Sequence, residues 1–331
     1  HVYNDAVITE ATGYVGNFVT RVRSQRGNTE IQHGAAVIAV GAQAYEPTEF
    51  LYGEDDRVLT NLELENRIIK EDEKLLNSRS LVMIQCIGCR NEERNYCSRI
   101  CCNQSIKNAL KLKKINPEMD VHILFRDIRS YGFAEDYYRE ASNSDVRFIR
   151  YEPENKPQVE AVTAEGRPVL RVAIDDPILG QKIAIDADFI SLAAAVVPPG
   201  ANQEISQWFK VPLGSDEFFK EAHVKLRPVE FGTQGVFLCG LAHYPKHIPE
   251  SINQAYGAAS RALTLLSHDT VTVSGAVCEV EEGRCMGCGA CITACTYNAI
   301  EFRKTKQGPK AVVNPVLCKG DGLCNAKCPT G

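Results

Sequence analysis

The sequence predicts an α/β protein of two interleaved domains followed by a small α+β module rich in cysteine and glycine. Three observations carry that reading. A strand, helix, strand pattern runs from Leu81 to Phe125, as in one βαβ unit of a parallel sheet. Two short buried runs that end on glycine, at Gly41 and Gly240, lie on either side of it and suit a first domain that the chain leaves and re-enters. At about His268 to Asp269 the composition shifts abruptly to cysteine and glycine.

Taken in order, residues 1–50 alternate short apolar strands with turns, through Ala6-Val7-Ile8, Gly13-Tyr14-Val15-Gly16 and Phe18-Val19. They end in Ala35-Ala36-Val37-Ile38-Ala39-Val40-Gly41-Ala42, which reads as a buried strand meeting a glycine turn. From Ser80 the pattern becomes a strand from Leu81 to Gln85, a helix from about Ser98 to Lys114 and a strand from Val121 to Phe125. Residues 159–188 read as a strand pair about the turn from Asp176-Pro177 to Gly180, and Phe189-Ile190-Ser191-Leu192-Ala193 as a buried strand. Gly235 to Gly240 is a buried strand, and Pro249 to Leu266 has the alanine-rich pattern of a helix packed closely on a sheet. The expected domains are therefore 1–75 with 186–268, 76–185, and 269–331.

Lys plus Arg total 37 against 42 Asp plus Glu, a net charge of -5, so no broad basic surface is offered to nucleic acid. No run approaches the roughly 18 apolar residues that span a bilayer, and the N-terminus lacks a charged-then-apolar leader. The expected setting is soluble, cytoplasmic and not membrane-spanning. The 14 cysteines are grouped in short stretches separated by long segments nearly free of cysteine, which points to metal rather than to a disulfide framework. Thiolate-bound clusters suit a reducing compartment, as in an anaerobe.

Cys285, Cys288, Cys291 and Cys295 have the spacing CxxCxxCxxxC, in which one tight loop aims three thiolates at one cubane while the fourth reaches a second. The partner half reads Cys318, Asp321, Cys324 and Cys328-Pro329, the same spacing with Asp321 at the second position. Crossing assigns Cys285, Cys288, Cys291 and Cys328 to one four-iron cluster. The other takes Cys318, Cys324 and Cys295, with Asp321 as its candidate fourth ligand. This is a dicluster ferredoxin pattern; a zinc ribbon would use two cysteine pairs instead. Carboxylate oxygen is a harder ligand than thiolate, so the Asp321 cluster would be an oxygen-ligated four-iron or a three-iron one. Alternatively, Asp321 faces solvent and that corner has no protein ligand. Thr296 stands where such motifs usually place proline.

A third group, Cys86, Cys89, Cys97, Cys101 and Cys102, falls at the strand-to-helix turn of the βαβ unit. In a nucleotide-binding domain this turn carries glycines, so that backbone amides approach a pyrophosphate at the helix N-terminus. Cys97 and Cys101 share a helix face if the helix has begun, with Cys102 beside them and Cys86 on the strand end, so four or five thiolates converge on one four-iron cluster. A redox-active CxxC of Cys86 and Cys89, or inert buried thiols, are the alternatives. Cys239 reads as a buried small hydrophobe and Cys278 as either a bystander or a spare ligand.

These residues resemble the A-type flavoprotein subunits of heterodisulfide reductase and their relatives in quinone-interacting oxidoreductase complexes. The resemblance rests on Gln85-Cys86-Ile87-Gly88, Tyr96-Cys97-Ser98-Arg99-Ile100-Cys101-Cys102, Arg126-Asp127-Ile128-Arg129-Ser130-Tyr131-Gly132, Phe218 to Pro228 and the ferredoxin tail. It implies a thioredoxin-reductase-like FAD fold whose middle cluster is ligated at Cys86, Cys97, Cys101 and Cys102; Cys89 departs from the family's usual serine. It further implies FAD contacts at Val40, Gly41 and Ala42 and at Gly240, Leu241 and Ala242, although threonine is usual at position 40 and many wider relatives are acidic at 241. A helix beginning Glu250-Ser251-Ile252 would turn its N-terminal amides to the flavin, and Lys225 is the candidate cation near the flavin ring.

No GxGxxG follows a first strand, so the half-fold that holds the FAD pyrophosphate is expected from a separate chain or from a longer version of this one. The resemblance implies about three four-iron clusters, FAD-based electron bifurcation, and coupling of disulfide reduction of the CoM-S-S-CoB type to ferredoxin reduction. Implied partners are other heterodisulfide reductase subunits, a hydrogenase- or formate dehydrogenase-type donor, ferredoxin and the chain supplying the missing half. A quinone-interacting complex or a non-catalytic relay is the alternative. A pyridine-nucleotide reductase is disfavoured by cysteines at the nucleotide turn.

Overall fold

A computed structural model describes residues 1–272 and 275–331. The chain divides into two compact units, one of His1–Gly41, Pro198–Tyr244 and Ile248–Gly331, the other of Ala42–Val197 and Pro245–His247.

The first unit opens with an antiparallel meander of β1 (Val7–Tyr14), β2 (Asn17–Ser24) and β3 (Gly27–His33). Alternation sets its faces: Phe18, Thr20 and Val22 are buried while Asn17, Arg21 and Arg23 face water. The tight β1–β2 turn needs Gly13 at φ 93°, where a Cβ would stand 2.1 Å from the Asn17 carbonyl oxygen. Next, β4 (Ala36–Ile38) ends well short of the expected strand. Val37 and Val40, expected buried, are 46% and 42% exposed. The reason is that β4 pairs with a single short strand, and among the described residues only its Ile38 side packs into a core.

The second unit carries β5 (Gln43–Ala44), β6 (Val58–Thr60), α1 (Asn61–Ile69), α2 (Glu73–Leu76) and β7 (Ser80–Ile87). It continues with α3 (Cys101–Ile115), β8 (Asp120–Phe125), α4 (Ala134–Asn143) and β9 (Val146–Arg150). Then come a second meander, β10 (Gln158–Ala164), β11 (Arg167–Asp176) and β12 (Gln181–Ala187), and the strands β13 (Phe189–Ala194) and β14 (Val196–Val197). The central sheet is parallel throughout, in the order β6-β13-β7-β8-β9. Period-two alternation along β7 sends Leu81 and Met83 to a core shared with α1, α3 and α4, and Val82 and Ile84 to a core shared with β11. Each such side chain contributes about 1.5–3 kcal/mol on burial. Residues 58–60 and 189–194, expected with the first domain, are strands of this sheet, so the second unit is wider than 76–185. Residues 158–187 make three strands rather than two: the added hairpin turns at Glu165 (φ 52°) and Gly166 (φ 76°).

The chain re-enters the first unit through α5 (Asn202–Phe209) and β15 (Val236–Leu238), the partner of β4. Helix α6 (Ile248–Leu266) follows, with Ala258 and Ala262 packed on Val229 and Phe237. The C-terminal segment holds α7 (Ala290–Ala294), the hairpin β16 (Ile300–Thr305) and β17 (Gly308–Val313), and α8 (Leu323–Ala326). The expected ferredoxin domain 269–331 includes Val273 and Ser274, which lie outside the described residues. Among the described residues no helix is long and apolar enough to cross a membrane.

Candidate metal centres

The C-terminal segment is built as a repeat. Gly287 and Gly320 have φ of 73° and 67°, and Gly289 and Gly322 of 77° and 75°. Glycine tolerates this left-handed backbone, which turns the loop tightly enough for a short helix, α7 or α8, to start at the next residue. A side chain at 287 would meet the Pro309 carbonyl oxygen at 2.5 Å, and one at 320 that of Ala276 at 2.4 Å. Cys285, Cys288, Cys291 and Cys328, with Cys278 and Cys324, line one cavity of about 90 Å³. Backbone N–H groups of Ala311 and Gly287 donate to the Cys285 sulfur and hold its thiol below the usual range. Thr330, from its hydroxyl and then its N–H, does the same for Cys328. Amides aimed at sulfur stabilise thiolate, the form that binds iron.

In the second half of the repeat, the Ala299 N–H donates to the Cys295 sulfur at 3.4 Å and the Cys278 N–H to the Cys318 sulfur at 3.4 Å. Cys324 is buried on α8. Asp321 is exposed, and its Oδ1 accepts from the Leu323 N–H at 3.2 Å.

The middle cysteines gather within the second unit. Cys86, at the end of β7, has φ 65°, which turns the chain out of the sheet. Gly88 follows at φ 74°, with the Tyr45 ring 2.2 Å from where a Cβ would stand. Helix α3 begins at Cys101, so Cys97 lies in the preceding loop and not on a shared helix face. The loop is fixed otherwise: the buried Ser98 hydroxyl accepts from Val196 N–H at 2.9 Å, and Arg99, at φ 60°, donates its N–H to the Cys97 sulfur at 3.3 Å. Cys89 is buried against Ser98.

Burial pushes the Cys86 thiol up to about 12 and also raises Cys89. The Cys101 and Cys102 thiols share a hydrogen bond that favours the proton on Cys101 and the thiolate on Cys102. Sequence reasoning misses the polar frame around these sulfurs. Arg90 donates to the Cys86 sulfur at 3.6 Å and pairs with Asp127, which also takes Arg129 at 3.3 Å. The one signal for it is the charge carried directly after the CxxC, at Arg90.

The gathered thiols, with Cys86 and Cys89 held neutral by burial and Cys101 by its bond to Cys102, are a donor set whose ionisation calls for adjacent positive charge, which iron would supply. Among the described residues no three Cys, His, Asp or Glu side chains close around a single ion. A cubane binds its thiolates at separate corners, further apart than the ligands of one ion.

The segments expected to touch FAD are in place as turns. Val40 is partly exposed, Gly41 has φ 71°, and Ala42 follows. Gly240, Leu241 and Ala242 form a 3-10 turn. There the Gly240 N–H is held by Gln254 at 2.9 Å, and Gln254 bonds His243, which bonds Glu221. Glu250, Ser251 and Ile252 sit in the first turn of α6, which begins at Ile248 with Pro249 next. Lys225 is exposed on a turn where its N–H donates to His223. Cys239 packs with Val229 and Phe237 in an apolar cluster.

Known proteins are similar to this chain over most of its length. The chain is 36% identical over 291 residues to the A subunit of the H(2):CoB-CoM heterodisulfide,ferredoxin reductase of Methanothermobacter thermautotrophicus, covering 83% of this chain and 43% of the relative. The chain aligns with the C-terminal part of heterodisulfide reductase A subunits. A second relative, the iron-sulfur A subunit of CoB-CoM heterodisulfide reductase from Methanocaldococcus jannaschii, is 35% identical over 87% of this chain and 45% of its own length. The chain thus spans less than half the length of these relatives. Its residues 284–331 match the family 4Fe-4S dicluster domain. In fold it is similar to thioredoxin reductase from Lactococcus lactis, at a TM-score of 0.51 and 14% identity, over 79% of this chain and 74% of that one. The expected thioredoxin-reductase-like fold, ending in a segment that matches the 4Fe-4S dicluster domain, is therefore present in this chain.

Proposed function

We propose that the chain is an electron-transfer part of a heterodisulfide reductase-type complex, holding FAD and about three four-iron clusters and splitting electron pairs between a disulfide and ferredoxin. The single observation that carries this reading is the group of five thiols at the β7-to-α3 turn. There a nucleotide-binding domain would cradle a pyrophosphate, and the chain has put metal ligands in its place. The proposed ligands are Cys86, Cys97, Cys101 and Cys102 for this cluster and Cys285, Cys288, Cys291 and Cys328 for the first C-terminal one. Cys295, Cys318 and Cys324 serve the second, in whose repeat Asp321 stands at the second position.

Bound FAD would supply two-electron chemistry and its exchange with one-electron carriers. This chain's own contribution is to hold and insulate those carriers. Arg90 and Arg129 stand beside the middle sulfurs, where cations offset the negative charge of a thiolate-bound cluster. Gly41 and Gly240 leave backbone free of Cβ at the two turns proposed to meet FAD, and the first turn of α6 offers amides to it. Lys225 is the proposed cation for the reduced ring.

The names of the relatives support a hydrogen- or formate-linked donor, other reductase subunits and ferredoxin as partners, and the proposed setting is the cytoplasm. Anaerobic purification of the native assembly tests this, with mass-spectrometric identification of co-purifying chains and extraction of flavin. The expected result is disulfide-reductase subunits, a hydrogenase or formate dehydrogenase, and FAD. A membrane quinone-reactive protein, or no flavin, would contradict it.

A further inference from the structure

The second C-terminal cluster is one thiolate short within its own repeat. Superposing the two halves by spacing puts Cys318, Asp321, Cys324 and Cys328 opposite Cys285, Cys288, Cys291 and Cys295. The backbone is the same in both halves, with paired glycines at matching positive φ and a short helix beginning directly after the second of them. Asp321 therefore occupies the place of Cys288. Its carboxylate, however, is exposed and bonded to the N–H of Leu323 two residues on, a local turn that needs no metal.

Cys278 lies outside the repeat, before its first cysteine. It is half-buried and packs in the apolar cluster that contains Cys285, Cys291, Cys295 and Cys324. Its N–H donates to the Cys318 sulfur at 3.4 Å. Its thiol reaches the Glu279 carbonyl oxygen at 3.8 Å, and Cys278 and Cys324 line the same cavity. Cys318 and Cys324 are both assigned to the second cluster. The first cluster already has four cysteines of its own, so a thiol among these two completes the second.

We propose that Cys278, not Asp321, is the fourth protein ligand of the second C-terminal cluster, which is then an all-cysteine four-iron cluster of Cys278, Cys295, Cys318 and Cys324. The proposal rests on the reading of residues 284–331 as a dicluster segment. Coordination releases the Cys278 thiol proton to solvent as the sulfur–iron bond forms, and no electron is transferred. The thiolate set matches the soft-ligand preference of cluster iron, which the carboxylate at 321 does not. A cluster ligated in this way keeps its fourth iron on oxidation, and the segment from 275 to 285 becomes part of the metal-bound fold.

The test uses the full chain in its native assembly, prepared anaerobically and then oxidised, with iron content and electron paramagnetic resonance as readouts. Cys278→Ala is expected to produce the signal of an oxidised three-iron cluster and to lower iron by about one atom per chain, while Asp321→Ala leaves spectrum and iron unchanged. A three-iron signal produced by Asp321→Ala with Cys278→Ala silent would overturn the assignment. So would a three-iron signal in the unaltered protein that neither change affects. Should Cys278→Ala not assemble, the unaltered protein decides: Cys278 is expected to resist iodoacetamide until iron is chelated, and immediate alkylation would contradict ligation. Cys318→Ala is the control for the underlying reading. If it too leaves iron and spectrum unchanged, the dicluster assignment fails, and not merely the identity of its fourth ligand.

Discussion

At residue scale, backbone conformation decides where the sulfurs go. Cys86 and Gly88 both take positive φ, and the glycine lies against the Tyr45 ring. Gly88→Ala would strain the backbone and drive a methyl group into that ring, so a loss of about 1–3 kcal/mol is expected in urea unfolding. Loss of iron from the middle site should accompany it, and unchanged stability would contradict the geometry.

A second residue-scale prediction concerns acid. Arg57 donates to Asp55 from Nε at 2.9 Å, Nη2 at 2.7 Å and its backbone N–H at 2.9 Å. Its side-chain hydrogen bonds, opposed by burial, hold the Asp55 carboxyl below the usual aspartate range. A depressed carboxylate stabilises the fold above its unfolded pKa of about 3.9, and that share is lost as pH falls through the lower folded value. Asp55→Asn should therefore cost about 1 kcal/mol near neutral pH and reduce the steepness of acid unfolding below about pH 4. An unaltered acid limb would show that the pair contributes nothing.

At element scale, β7 and α3 are tied together by a buried polar chain as well as by apolar packing. The Ser105 hydroxyl accepts from Asn61 at 2.8 Å and from Gln85 at 2.7 Å, and Asn61 accepts from Ser191 at 2.7 Å. These bonds join α1, α3, β7 and β13 in the unit that carries the middle cysteines. Ser105→Ala leaves two buried donors without their acceptor, for an expected loss of about 2–4 kcal/mol in urea unfolding. A loss below about 0.5 kcal/mol would mean that the site relaxes around the change.

These same elements mark how far the sequence is legible. The run from Leu81 and the helical period after Ser98 announce β7 and α3, because burial on both faces and a 3.6-residue period leave local traces. The strand order β6-β13-β7 leaves none, since it is set by contacts distant in sequence. The Glu165-Gly166 hairpin escapes a sequence reading because glutamate is not a usual residue for a left-handed turn position. The cysteine spacings display both candidate sites. What spacing does not carry is the surroundings of the sulfurs, including Arg90, Ser98 and the contacts of Cys278.

At the scale of the whole molecule, a thioredoxin-reductase-like fold has cysteines in place of its nucleotide turn and a cysteine repeat at the C-terminal end. If both places hold clusters, the chain is a conductor of electrons and not a binder of pyridine nucleotide. Iron and acid-labile sulfide per chain, measured on anaerobically prepared protein before and after Cys101→Ser, test this most directly. The expected result is about twelve iron atoms per chain, falling by about four in the variant while the C-terminal cluster signals persist. About eight iron atoms, unchanged by Cys101→Ser, would contradict it and leave the middle cysteines as a thiol–disulfide pair or as inert packing.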